Sequence, residues 1–221
     1  TVDTNRPADP ETLKKGGKRY SREIAQLDPQ QNEMAKIGTT HLVSIMSDHD
    51  LLPTHNFQYG THREAVNLSQ SVYRPIFDPG FDGCWMGCTV ACSHGVRDFV
   101  PLTGPFRGQK VFVDGPEYET VAGCGSNLGI FDPNTVIELN FYCDAYGLDT
   151  ISVGTAIAFA MECVEKGILS KSDFDGIDLK FGNPESMVEM VDRIARRKGE
   201  MATLLGEGVK QASRIIGQGS E

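Results

Sequence analysis

The chain has 221 residues, of which 39% are hydrophobic and 23% charged, and a formal net charge of -9. That length accommodates one or two domains with a substantial core. The acidic balance argues against general nucleic-acid binding, which needs a basic face, and against an anionic membrane surface as partner. No apolar run reaches the length of a membrane span. The opening residues lack an apolar signal core, so export is not expected. Six cysteines make an even count, but a chain of this size needs no disulfide staples, and a reducing, cytoplasmic setting with free thiols is the expectation. The polar start and the loop-like end, Ile216 to Glu221, predict a fragment of a larger polypeptide.

Asp9-Pro10-Glu11 is a helix start: a capping carboxylate, proline in the first turn and an acid near the positive helix end. The predicted helix runs to about Leu27, weakened in its middle by Gly16 and Gly17. A second is predicted from Pro29 to Ser47, with Met34, Ile37, Leu42, Ile45 and Met46 at roughly helical spacing. Leu51 to Arg63 is irregular and carries His55 and His62. The stretch 73–83 is rich in Pro and Gly and reads as loop. Residues 100–132 hold one strand-like run, Lys110 to Val113. Asp132-Pro133 then opens a helix that ends near Gly147, where a left-handed cap fits. Further helices are predicted over Thr155–Lys166, from Asn183-Pro184-Glu185 to Lys198, and over Glu207–Ile216. The fold class is therefore mainly α: a multihelical domain with a loop-rich centre, the usual home of a site.

Three groups of residues carry candidate chemistry. Cys84, Cys88 and Cys92 lie within the run 83–94. Three thiolates so close can occupy three corners of an iron–sulfur cluster or a zinc site. In a helix they would instead form one buried stripe, each drifting by about 40°. Gly83 and Gly87 favour a loop from which sulfurs can converge. In Gly115-Pro116-Glu117-Tyr118-Glu119-Thr120, two carboxylates flank a tyrosine; in an extended segment Glu117 and Glu119 share one face. A carboxylate closed into a pocket there could move protons near neutrality, whereas in solvent it is only an acidic turn. In Asp144-Ala-Tyr-Gly147-Leu148-Asp149, an acid sits at a helix C-terminus, where the dipole disfavours it, and Asp149 can simply cap the next helix. The five histidines are scattered; His94 follows the cysteines closely. Cys124, Cys143 and Cys163 read as core cysteines.

The succession GPEYET, GSN (125–127), NFYCDAYGLDTIS, AFAMECVEKG and LKFGN (179–183) resembles the tungsten-dependent aldehyde ferredoxin oxidoreductase family, from about Leu52 to the end and in the family's order. The resemblance implies an oxidoreductase converting aldehydes, with water, to carboxylic acids. Its cofactors would be a tungsten bis-pterin held through dithiolene sulfurs (molybdenum being the other metal) and a 4Fe-4S cluster passing electrons to ferredoxin or an electron-transfer subunit. Carried over by motif, Cys84, Cys88 and Cys92 would be cluster ligands. Asp144, Gly147, Leu148 and Asp149 match the D-x-x-G-L-D motif that contacts one pterin. Glu119 matches the glutamate near tungsten, with Glu117 the second choice.

Two differences accompany the likeness. The family separates its first two cluster cysteines by two residues, and here there are three. The N-terminal β-rich domain, a second D-x-x-G-L-C motif and a later histidine have no counterpart. Residues 1–221 thus look like the helical middle domain, without N-terminal β domain or C-terminal domain, and alone are expected to be inactive, with at most a labile cluster. A homodimer is the family expectation for the full-length protein. Two other readings stand beside this one. A benzoyl-coenzyme A reductase-like tungstoenzyme subunit would carry a metal-binding cysteine near PEYET, which has none. A non-catalytic iron–sulfur electron-transfer module, or a zinc-stabilised interaction domain, would need no pocket carboxylate.

Overall fold

The computed structural model describes residues 7–31, 33–78, 83–84 and 88–220. Among them are ten α-helices and two strands, so the chain is mainly α. Helix α1 (Pro10–Gln31) starts as the sequence predicts, with Asp9 Oδ1 accepting from Thr12 N at 3.0 Å. It runs through Pro29 rather than stopping at Leu27. The predicted second helix is broken into α2 (Met34–Ile37), a 3-10 turn at 39–41 and α3 (Leu42–Asp48). The break is Gly38, at φ 66°. A side chain there would come within 2.6 Å of the His94 ring and 3.2 Å of the Cys92 carbonyl. Tertiary contact, not local propensity, decides that position.

After α4 (Gln70–Tyr73), strands β1 (Gly95–Phe99) and β2 (Val111–Asp114) pair antiparallel, Gly95 opposite Asp114 and Val96 opposite Val113, with a bulge before Phe99. β2 corresponds to the predicted strand-like run. β1 was not expected, because Arg97 and Asp98 interrupt its apolar alternation. The loop expected over 73–83 and the loosening role of Gly87 fall partly on 79–82 and 85–87, outside the described residues.

Helices α5 (Tyr118–Cys124), α6 (Pro133–Tyr146) and α7 (Thr150–Glu165) form the centre. α6 and α7 bury residues on most of their circumference, as helices enclosed by neighbours do, and α8 (Pro184–Arg196) lays Met187, Met190, Val191 and Ile194 against them. α9 (Glu200–Leu205) and α10 (Val209–Ile216) complete the chain. α7 begins at Thr150, ahead of the predicted Thr155, because Asp149 caps it. α5 and α9 were not expected; each is under two full turns, too short for a periodic signal. No single helix among the described residues is long and apolar enough to cross a membrane.

α5 and α7 meet at a glycine. A Cβ on Gly154 would lie 2.6 Å from the Gly123 carbonyl oxygen, while one on Gly123 would meet nothing nearer than Thr150 O at 3.6 Å. Gly154→Ala therefore forces backbone apart and is expected to cost about 1–3 kcal/mol. Gly123→Ala, on a helix with room for a methyl, should stay within about 1 kcal/mol of the parent. Urea unfolding midpoints of the two variants check the asymmetry.

Candidate functional site

The turn from Asp114 to Glu117 leaves the end of β2 and enters α5. It contains the cis peptide Gly115–Pro116, and Gly115 has φ 106°, where a side chain is strained. Gly115 N donates to His94 O at 2.9 Å. The Thr39 hydroxyl caps α5 from outside: it accepts from Tyr118 N at 2.8 Å and donates to the Glu117 carboxylate. Glu117 is half-buried, whereas Glu119 lies exposed in the first turn of α5. The helix start at Tyr118 replaces the extended segment considered for PEYET, so the two carboxylates do not share a strand face. Burial pushes the Glu117 carboxyl above its usual range; the Thr39 hydroxyl works against this, and Glu119 and Asp114 add to it.

The cysteine segment lies against this turn. Burial, then the Glu117 carboxylate, raise the Cys92 thiol, and Cys88 and Cys84 add smaller contributions. Glu117 and the other two thiols are therefore within electrostatic reach of Cys92. Cys84 is exposed, and Cys88 and Cys92 are partly buried. None of the three is in a helix. Among the described residues no three His, Cys, Asp or Glu side chains converge on one metal position. The donor set, three neighbouring thiols off regular structure, fits iron–sulfur chemistry; the sulfurs are not drawn into a closed site.

The third segment joins through α6. Asn140, 3% exposed, donates from Nδ2 to Asp114 O at 2.8 Å and to Asp144 Oδ2 at 2.9 Å. Ser93 Oγ donates to Asp114 Oδ1 at 3.3 Å. Asp144 reaches solvent, yet the protein packed around it and the Asp114 carboxylate push its carboxyl up to about 6, against the Asn140 hydrogen bond. Gly147 takes the left-handed cap the sequence predicts (φ 69°), its N–H donating to Asp144 O and Leu148 N to Cys143 O, and the space where its side chain would stand is open. Leu148 packs partly buried on the core. Asp149 caps α7, accepting from Ser152 N at 2.7 Å; hydrogen bonds from Ser152 hold its carboxyl below the usual range.

The structure thus brings Cys92, Glu117, Asp114 and Asp144 into one connected array. Asp149 and Glu119 stand at its margin. A cavity of about 490 Å³ between Thr103–Pro105 and α8 is lined by none of these residues. Among the histidines, His94 is buried and stacks on Phe77 at 5.3 Å, while His55 and His62 stack on Phe181 and Phe131. Cys124, Cys143 and Cys163 are buried as expected; a hydrogen bond with Cys124, then burial, keep the Cys143 thiol protonated. The supporting residues Thr39, Ser93, Asp114 and Asn140 carried no motif that sequence reasoning could use, except that Asn140 stands four residues before Asp144 on one helix face.

Known proteins are similar to this chain at several levels. The family profile "Aldehyde ferredoxin oxidoreductase, domains 2 & 3" matches residues 15–221. The tungsten-containing aldehyde ferredoxin oxidoreductases of Pyrococcus abyssi and Pyrococcus horikoshii are each 35% identical over 187 residues, 83% of this chain and 29% of theirs. An aliphatic sulfonate oxidoreductase, WOR-like subunit, from Pyrococcus furiosus is 35% identical over 115 residues, 52% of this chain and 18% of its own. The active-site complex BamBC of benzoyl coenzyme A reductase, with bound 1,5-dienoyl-CoA, superposes with TM-score 0.63 at 18% identity over 93% of this chain and 31% of that one, a likeness of fold. The chain spans about 29% of the length of the aldehyde ferredoxin oxidoreductases it matches.

In carbon-detected NMR, Asp144 should titrate near pH 6 and Asp149 below 3.8. Because folding favours protonated Asp144, its contribution to stability is full below 3.8 and is lost as pH rises through about 6. Thermal melts at pH 4 and pH 7 should show this decline in the parent and a smaller one in Asp144→Asn.

Proposed function

The chain belongs to the aldehyde ferredoxin oxidoreductase family, and from that premise we propose that it is the cluster- and pterin-contacting part of a tungsten (or molybdenum) enzyme that oxidises aldehydes to carboxylic acids. The observation that carries the proposal is the array in which the half-buried Glu117 stands between the cysteine segment and the Asp114–Asn140–Asp144 bridge. Cys84, Cys88 and Cys92 would hold three corners of a 4Fe-4S cluster. Asp144, Gly147, Leu148 and Asp149 would meet one pterin, with open space over Gly147 letting a ligand approach the backbone. When bound, the tungsten bis-pterin supplies the two-electron redox step, and the cluster an exit for single electrons to ferredoxin or an electron-transfer subunit.

The chain's own residues handle protons and position. Oxidation of an aldehyde by water to a carboxylic acid releases two protons with its two electrons, so a base is needed nearby. Glu117 suits that task better than Glu119: burial raises its carboxyl toward working pH, and the Thr39 hydroxyl fixes its orientation. Glu119, exposed in the first turn, is positioned to favour α5 through the helix dipole. The Asp144 carboxyl, pushed up to about 6, can both accept and donate a hydrogen bond to a pterin near neutrality.

The rest of the enzyme, including an N-terminal β domain, a C-terminal domain, a fourth cluster ligand and a homodimer contact, belongs to this proposal, as do a cytoplasmic location and the absence of nucleic-acid or membrane partners. Aldehyde is favoured over sulfonate as substrate because the aldehyde enzymes match over a larger share of the chain. A benzoyl-coenzyme A reductase-like role is less favoured, since residues 115–120 contain no cysteine.

In the full-length polypeptide, metal analysis should find tungsten or molybdenum together with iron. Glu117→Gln should lower aldehyde oxidation by about 10²–10⁴-fold with metal content retained, and Glu119→Gln by far less. Iron alone would turn the assignment to electron transfer, zinc alone to a structural scaffold, and full activity in Glu117→Gln would remove Glu117 from the reaction. The isolated 221-residue chain should show no aldehyde oxidation.

A further inference from the structure

We propose that Asn140 is a positioning residue, a buried clamp whose single amide group sets Asp144 against the Asp114–Glu117 turn; its consequence for cofactor binding rests on the pterin role of Asp144 proposed above. Asn140 lies on α6 one turn before Asp144, so both side chains point to the same face. Its Nδ2 spends its two hydrogens in different directions: one to the main-chain oxygen of Asp114 at 2.8 Å, the other to Asp144 Oδ2 at 2.9 Å. The amide plane also packs directly on the turn. A Cβ on Gly115 would lie 3.1 Å from Asn140 Oδ1 and 3.5 Å from Nδ2.

The chemistry requires an amide here. Asp144 sits in the last turn of α6, where the unpaired carbonyls repel a carboxylate, and Asp114 adds a second negative charge. A buried donor offsets both and fixes the rotamer. Aspartate at 140 has the same shape but brings no donor at neutral pH and a further negative charge. Leucine has similar volume and no polar atom. Glutamine moves the amide by one methylene, away from one partner or the other.

The test uses Asn140→Asp and Asn140→Leu in the whole chain. In both, the Asp144 carboxyl should titrate above the parent's value of about 6, and the amides of Gly115 and Tyr118 should exchange with deuterium about two- to tenfold faster, the loss of the neutral hydrogen bond to Asp114 O being of that order. Amides in α8 should exchange at the parent's rate, which separates lost positioning from general loosening. Should Asn140→Leu fail to fold, Asn140→Asp, with its unchanged volume, decides. Parent-like Asp144 titration together with parent-like exchange at Gly115 and Tyr118 in folded Asn140→Asp overturns the proposal. In the full-length polypeptide, Asp144→Asn and Asn140→Leu should each weaken retention of the tungsten pterin. If Asp144→Asn retains the cofactor as the parent does, the pterin role of Asp144 falls, and the clamp is judged by titration and exchange alone.

Discussion

Everything at the site depends on how closely three backbone segments approach one another around the turn from Asp114 to Glu117. Gly38 lets the 38–41 turn rest on Cys92 and His94, and Gly115 lets the turn itself rest on the Asn140 amide. A single methyl at either glycine would stand within 3.2 Å of a neighbouring backbone or side-chain atom. With that approach secured, Thr39 can reach past its own element to cap α5 and bind Glu117. Strand β2 and helix α6 are then joined by the hydrogen bonds of Asn140 to Asp114 O and Asp144 Oδ2.

That arrangement gathers like charges. Asp114, Glu117 and Asp144 raise one another's protonation or that of their neighbours, which is unfavourable in a chain already carrying -9. The opposition is met by neutral donors rather than by cations: the hydroxyls of Thr39 and Ser93 and the amide of Asn140. Neutral donors leave the Asp144 carboxyl at about 6 and the Glu117 carboxyl above its usual range, where an adjacent Arg or Lys would hold each as an anion. A region built to exchange protons needs the first condition, and a region built only for stability would gain more from the second. The core beneath is ordinary by comparison: α6 and α7 enclosed, α8 amphipathic and Gly154 admitting α5 to close packing.

Much of this was legible in the residues. Asp9, Asp132 and Asp149 each stand where a carboxylate satisfies helix-start N–H groups, and each does so. Gly147 ends α6 because its left-handed backbone is one that glycine adopts freely. Asn183 shows the limit of the rule. It occupies the cap position before Pro184, but its side chain turns to Asp178 O at 3.0 Å, a partner that exists only after folding. Short elements such as β1, α5 and α9 were missed for a related reason: they are stabilised by neighbours and leave too few residues to show a period.

The sequence by itself determined the starts of α1, α6 and α8, the end of α6 at Gly147, the buried cysteines and the membership of the family, because capping is local and motif order is linear. Only the tertiary structure decided that helix formation breaks at Gly38, that Glu117 is shielded while Glu119 faces water, and that Asn140 links strand β2 to Asp144. The first rests on the approach of Gly38 to Cys92 and His94, and the other two on hydrogen bonds that join Asn140 to Asp114, 26 positions away, and Thr39 to Glu117 and Tyr118, 78 and 79 positions away. Such contacts depend on the whole chain's packing, and no neighbouring residue carries a sign of them.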